Sequence, residues 1–114
     1  MIGTEEQRRA QRCSVRLPLR IIAADGRAVN CIGQTRDMGA GGVRFIVPAE
    51  LPPGTVIDYV VTLSTYSPAA HIRCTGEVLR CAESVEAPNP SYELAATMRR
   101  YNFVPQAQVE NAGG

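Results

Sequence analysis

The sequence predicts an all-β protein, a six-stranded antiparallel barrel. Three observations carry this. Short stretches alternate apolar and polar residues with period two, turn residues punctuate them, and no amphipathic helical repeat of any length is visible. With 114 residues the chain has room for one domain and one core. Its 45% apolar and 20% charged residues are the balance of a globular chain, not of a disordered one.

Residues 15–24, VRLPLRIIAA, set Val15, Leu17, Leu19 and Ile21 on one side and Arg16, Pro18 and Arg20 on the other. Pro18 has no N–H for a ladder, which points to an edge or a bulge. Asp25-Gly26 supplies a hairpin turn, and RAVNCIGQT (27–35) returns as the second strand. GVRFIVP (42–48) turns Val43, Phe45 and Val47 inward, and ELPPG (50–54) is a turn stiffened by two prolines. VIDYVVTLS (56–64) places Ile57, Tyr59, Val61 and Leu63 on one face. AHIRCTGEVLRC (70–81) sets Ile72, Cys74 and Val78 opposite Arg73, Thr75 and Glu77. After the acidic, Pro-rich loop ESVEAPNP, the stretch SYELAATMRRYNF (91–103) aligns Tyr92, Leu94, Ala96 and Met98. Residues 104–114 read as a C-terminal tail, a frayed end or one short helix.

All 12 basic residues are arginine, and the net charge of +1 conceals an asymmetry. Residues 1–44 carry eight Arg against four acids, whereas residues 45–114 carry four Arg against seven acids. The opening MIGTEEQRRAQR has no apolar stretch to act as a secretory signal, and no later run has the length of a membrane span. A cytoplasmic protein without membrane insertion is expected. Cys13, Cys31, Cys74 and Cys81 show no C-x-x-C spacing and read as small buried or half-buried hydrophobes, not metal ligands. The single histidine, His71, has no Ser or Cys partner visible in sequence, and the acids form no acid/base or metal constellation, so no enzyme and no cofactor is expected. Single-stranded nucleic-acid binders pair basic grooves with aromatic platforms. With no Trp and 5% aromatic residues, this chain is not expected to bind a nucleic-acid polymer.

Two segments could carry chemistry. RDMGAGGVRF (36–45) holds Gly39, Gly41 and Gly42, more glycine than a tight turn needs. Bare Cα atoms let a ligand approach the backbone, its amides could cradle an anion, and Asp37 could accept hydrogen bonds from a nucleobase edge. A bulged barrel corner with Asp37 capping the turn would explain the same residues. EEQRRAQR (5–12) holds Arg8, Arg9 and Arg12. Guanidinium forks suit phosphates and stack on bases, although a solvated helical face with a Glu5–Arg9 pair would account for them too.

Taken together, these segments resemble the PilZ domain, the bacterial receptor for cyclic di-GMP. Arg8-Arg9-Ala10-Gln11-Arg12 fits the family's RxxxR through Arg8 and Arg12, ahead of the first strand. Asp37-Met38-Gly39-Ala40-Gly41-Gly42 fits D/NxSxxG at Asp37 and Gly42, in the loop between the second and third strands. VRLPLR, LPPGTVIDYVVTL and CTGEVLRC extend the likeness, which runs from about Arg8 to Phe103.

The resemblance implies a PilZ-like barrel over 15–103, preceded by a flexible arginine segment (1–14) that folds over the ligand. It implies that Arg8 and Arg12 meet phosphate and guanine, with Arg9 as a supplement. Asp37 would accept from a guanine edge, and the glycines at 39, 41 and 42 would bring the loop close. The implied function is a cyclic di-GMP effector, a monomer or weak dimer, that signals to a partner protein governing motility, adhesion or exopolysaccharide. One departure stands out: Gly39 occupies the position of the motif serine. The alternative it raises is a PilZ-like adaptor with weakened or lost cyclic di-GMP binding that acts through protein contacts.

Overall fold

The computed structural model describes residues 14–64, 69–85 and 90–104. Seven strands follow in order: β1 (Pro18–Ala24), β2 (Arg27–Met38), β3 (Gly42–Val47), β4 (Val56–Ser64), β5 (Ala70–Ser84), β6 (Ser91–Thr97) and β7 (Arg100–Val104). Their hydrogen-bonded order is β4-β1-β2-β3-β6-β5, and β4 also pairs with β5, so six antiparallel strands close a ring. Closure leaves these six without a free edge. The seventh strand, β7, lies outside the ring, paired with β5. No helix occurs among the described residues, hence none long and apolar enough to cross a membrane.

The inward faces are those the alternation predicts. Leu19, Ile21, Val43, Phe45, Val47, Ile57, Tyr59, Val61, Cys74, Val78, Leu94 and Ala96 are buried in one cluster, flanked by the half-buried Leu17, Leu63, Tyr92 and Met98. Full burial of each large apolar side chain contributes roughly 1.5–3 kcal/mol. Phe45 and Tyr59 pack at 6.1 Å between ring centroids, tilted by 36°, and the Tyr59 hydroxyl donates to the Thr97 carbonyl at 3.0 Å. Cys74 is buried and Cys31 and Cys81 half-buried, all three as free thiols. Burial pushes the Cys74 thiol up to about 11 and raises Cys31 as well, so both stay protonated at neutral pH. Cys13 lies outside the described residues.

The turns follow from their residues. Asp25 (φ 50°) and Gly26 (φ 81°) form the primed turn joining β1 to β2, where Ala24 faces Arg27. Asp25 also ties this hairpin to β4: its N–H donates to the Val56 carbonyl at 2.7 Å and its carboxylate accepts from the Val56 N–H at 2.9 Å. In the β3–β4 connection Gly54 takes φ 96°, and the Thr55 hydroxyl donates to the Pro52 carbonyl at 2.7 Å.

The last alternating stretch departs from the single strand that its pattern predicts. SYELAATMRRYNF is two strands, broken at Met98-Arg99. Across the sheet from the break lies Gly76, where an added Cβ would overlap the Thr97 carbonyl oxygen. Because Gly76 has no side chain, Thr97 folds flat over β5, its carbonyl taking the Tyr59 hydroxyl and its own hydroxyl accepting the Glu77 N–H at 2.9 Å. Beyond this crossing the chain resumes beside β5 as β7, with Tyr101 and Phe103 exposed and Val104 half-buried against Ile22 and Val60. Val104 thus ends a strand, and residues 105–114 lie outside the described residues.

Candidate functional site

The site begins with two irregularities in the ladder. Thr35 of β2 faces the core opposite Phe45, so strict alternation would turn Asp37 inward too. One extra residue, Arg36, intervenes: the register slips between Thr35 and Asp37, and Asp37 emerges on the outer face opposite Arg44 of β3. The same device recurs in β5. Val78 is buried opposite Ala96, the extra residue Leu79 shifts the register, and Arg80 emerges opposite Ala95. Since Arg44 also pairs with Ala95, one outer row crosses four strands as Asp37, Arg44, Ala95, Arg80.

This row floors an open depression of about 480 Å³, whose lining also includes Gly41, Gly42 and Leu79. A smaller hollow of about 130 Å³ adjoins it across Arg44, Arg80 and Ala95 and reaches Glu93. Arg44 sets the electrostatics: its Nε donates to Asp37 Oδ2 at 2.7 Å, its Nη2 lies 2.6 Å from the same oxygen, and its Nη1 donates to Glu93 Oε2 at 3.1 Å. The Asp37 side chain is 13% exposed, so this pair is partly shielded from water and fixes the carboxylate in place. Arg80 is exposed and has no ion pair with any described residue.

The Gly-rich turn closes the upper end, the Gly39 N–H donating to the Gly42 carbonyl at 2.9 Å. Its glycines differ in role. A Cβ on Gly42 would stand 2.8 Å from the Ala96 carbonyl oxygen, so this residue permits close packing on β6. A Cβ on Gly41 would meet nothing within 4 Å, so it is Gly41 that leaves open space over the depression. Positive φ among the described residues falls on Asp25, Gly26 and Gly54, none of them in this turn.

Of the predicted site residues, Asp37, Gly41 and Gly42 line the depression and Gly39 is bonded to Gly42 in the adjoining turn, whereas Arg8, Arg9 and Arg12 lie outside the described residues. The segment leading from them is anchored beside the site. The Val15 N–H donates to the Arg36 carbonyl at 3.2 Å, and the Thr35 N–H to the Leu17 carbonyl at 2.9 Å. The buried Thr35 hydroxyl accepts the Leu17 N–H at 2.8 Å and donates to the Val15 carbonyl. Replacing Thr35 with the isosteric Val should therefore cost about 1–3 kcal/mol, since two main-chain groups lose their partner. Thermal melting checks this, together with faster proteolysis before Leu17; Thr35→Ser should retain most of the stability. Equal melting of Thr35→Val and wild type would show that the hydroxyl is no anchor.

A family model, PilZ domain, matches residues 6–104. The chain belongs to the PilZ domain family. No curated protein and no solved structure matches it. PilZ domains are binding and effector domains of cyclic di-GMP signalling, and the match covers both the arginine segment and the Asp37 turn. Against the PilZ pattern, the residues that sequence reasoning missed are Thr35, Arg44, Arg80 and Glu93. Arg44 stood in plain alternation between Val43 and Phe45, a signal that it points outward. Among the described residues no group of three or more His, Cys, Asp or Glu could hold a metal. His71 sits at the core edge with Nδ1 3.0 Å from the Thr62 hydroxyl.

Proposed function

We propose that this PilZ domain is a cyclic di-GMP effector: it takes the dinucleotide against the outer face of β2, β3, β6 and β5 and signals through the change of surface to a partner protein, in the control of motility, adhesion or exopolysaccharide. The observation that carries this is the meeting of Asp37 and Gly41 at one depression with the point where the arginine segment joins the barrel. Val15 is bonded to Arg36, the residue before Asp37. Arg12 precedes Val15 by three residues, a span of at most about 11 Å, and Arg8 by seven, at most about 25 Å, so both motif arginines are within chain reach of the depression. Two anionic phosphates and two guanines call for guanidinium forks and a carboxylate acceptor, and the motif offers both. Such a domain works in the cytoplasm, where its ligand is made, and performs no catalysis.

Gly39 bears on affinity. Restoring a hydroxyl with Gly39→Ser should tighten binding by up to about tenfold, the value of one neutral hydrogen bond. Isothermal titration of both proteins with cyclic di-GMP tests this: a Ser variant no tighter than wild type would take position 39 out of the site.

One observation favours the adaptor alternative. Asp37 is already held by Arg44 at 2.6–2.7 Å, so a guanine must share or displace an existing partner. An adaptor would give no heat with the dinucleotide and no protection of residues 8–16 from protease.

A further inference from the structure

Each of the six ring strands pairs on both sides, whereas β7, alone among the described strands, pairs on one side only, with β5. Ladder bonds alternate, so every second residue of β7 turns its N–H and C=O away from β5. Such edges invite another strand, and proteins commonly blunt them with lysine, proline or a bulge. The strand RYNFV has no lysine or proline, its register to β5 runs unbroken, and its single charge is Arg100 at the start.

The aromatic residues of β7 are placed for a partner. Tyr101 stands opposite Cys74 and Phe103 opposite Ile72, both core residues, so the two rings continue the core face of β5 out past the closed barrel. Left there, they are 58% and 71% exposed. Arg100, Asn102 and Val104 take the other face, where Val104 packs against Ile22 and Val60.

This edge is complementary to itself. An antiparallel pair of β7 strands centred on Asn102 overlaps all five residues, with Tyr101 opposite Phe103 of the second copy and Asn102 opposite its own counterpart. Any other centre pairs fewer of the five. Both aromatic pairs then fall on one face, and the Asn102 amide, donor and acceptor at once, can bond its copy across the axis. Each Arg100 faces a valine, and the two arginines stay about 13 Å apart along the strands, so no like charges oppose one another.

We infer that β7 is a homodimer interface: two copies of this chain join through an antiparallel β7–β7 pair about a two-fold axis, so that one ladder runs from β5 through both β7 strands into the second β5. Stable interfaces take about 20–30 residues a side, and five in β7 make this dimer weak and concentration-dependent. The inference is independent of the dinucleotide.

Sedimentation equilibrium of the full chain from micromolar to millimolar concentration tests it. The wild-type mass should rise from one chain towards two. Tyr101→Lys and Phe103→Lys should each weaken association about ten- to hundredfold, since the two-fold axis counts every substitution twice, and should melt like wild type at low concentration because both side chains are exposed. Mild oxidation checks the register. Asn102→Cys, with its Cα about 4.5–5.5 Å from its copy, should form an intermolecular disulfide, and Arg100→Cys should give no more than the wild-type baseline. A wild type that stays monomeric at millimolar concentration, leaving the edge to a strand of some other protein, would overturn the proposal. So would dimers that survive both lysine substitutions, or equal crosslinking through positions 100 and 102.

Discussion

Arg12→Ala should lose cyclic di-GMP affinity by about a hundredfold or more. A guanidinium that grips a phosphate or the edge of a guanine makes charge-assisted hydrogen bonds worth roughly 1.5–3 kcal/mol each, and a loss of about 3 kcal/mol is more than a hundredfold in Kd. Bidentate geometry makes lysine a poor substitute, so Arg12→Lys should recover only a minor part. Arg16 is the control. It follows the motif by four residues and is exposed just before β1, so Arg16→Ala should bind like wild type. Isothermal titration separates the two. Equal binding by Arg12→Ala and Arg16→Ala would reduce the arginine segment to a general basic tract.

The second large effect is on stability and has no connection with the ligand. Gly76→Ala should destabilise the barrel by about 2–3 kcal/mol, lowering the melting temperature by roughly 10–20 °C, because its Cβ has to displace Thr97 main chain. Thr97 cannot retreat cheaply: its carbonyl holds the Tyr59 hydroxyl at 3.0 Å and its hydroxyl holds the Glu77 N–H at 2.9 Å. Displacement would leave a buried phenol without an acceptor at the centre of the core. Gly41→Ala is the comparison. Its Cβ enters open space, and its melting temperature should match wild type. Similar melting of Gly76→Ala and Gly41→Ala would contradict the role given to the β6–β7 crossing.

These two glycines mark what a sequence can and cannot disclose. Valines and aromatics repeating every second residue announce a face, and Val43, Phe45, Val47, Ile57, Tyr59 and Val61 are all buried as the repeat requires. The Asp25-Gly26 turn was equally legible, because positive φ at two successive residues is a local demand met by local chemistry. The bulges at Arg36 and Leu79 were not. A bulge is settled by which residues face each other across a ladder, and nothing in QTRDM or EVLRC alone fixes that count. The same reason hid the break at Met98-Arg99, which follows the close approach of Thr97 to Gly76 in another strand.

For the site, Asp37 and the glycines stood out through the short segment they share, the end of β2 and the turn after it. Their neighbours Arg44, Glu93 and Arg80 come from three other strands and acquire meaning only in the row that register creates. Thr35 was invisible for a further reason: a lone threonine in a strand reads as ordinary β composition. Its role lies in the Val15 and Leu17 main chain that it binds.

The most direct test of the central claim is a backbone amide NMR titration of the full chain with cyclic di-GMP. Saturable shifts should concentrate at Asp37, Gly39, Gly41, Arg44, Arg80 and Ala95 and along residues 8–16, with β7 unaffected. A spectrum unchanged at millimolar dinucleotide, or shifts gathered elsewhere on the barrel, would contradict it.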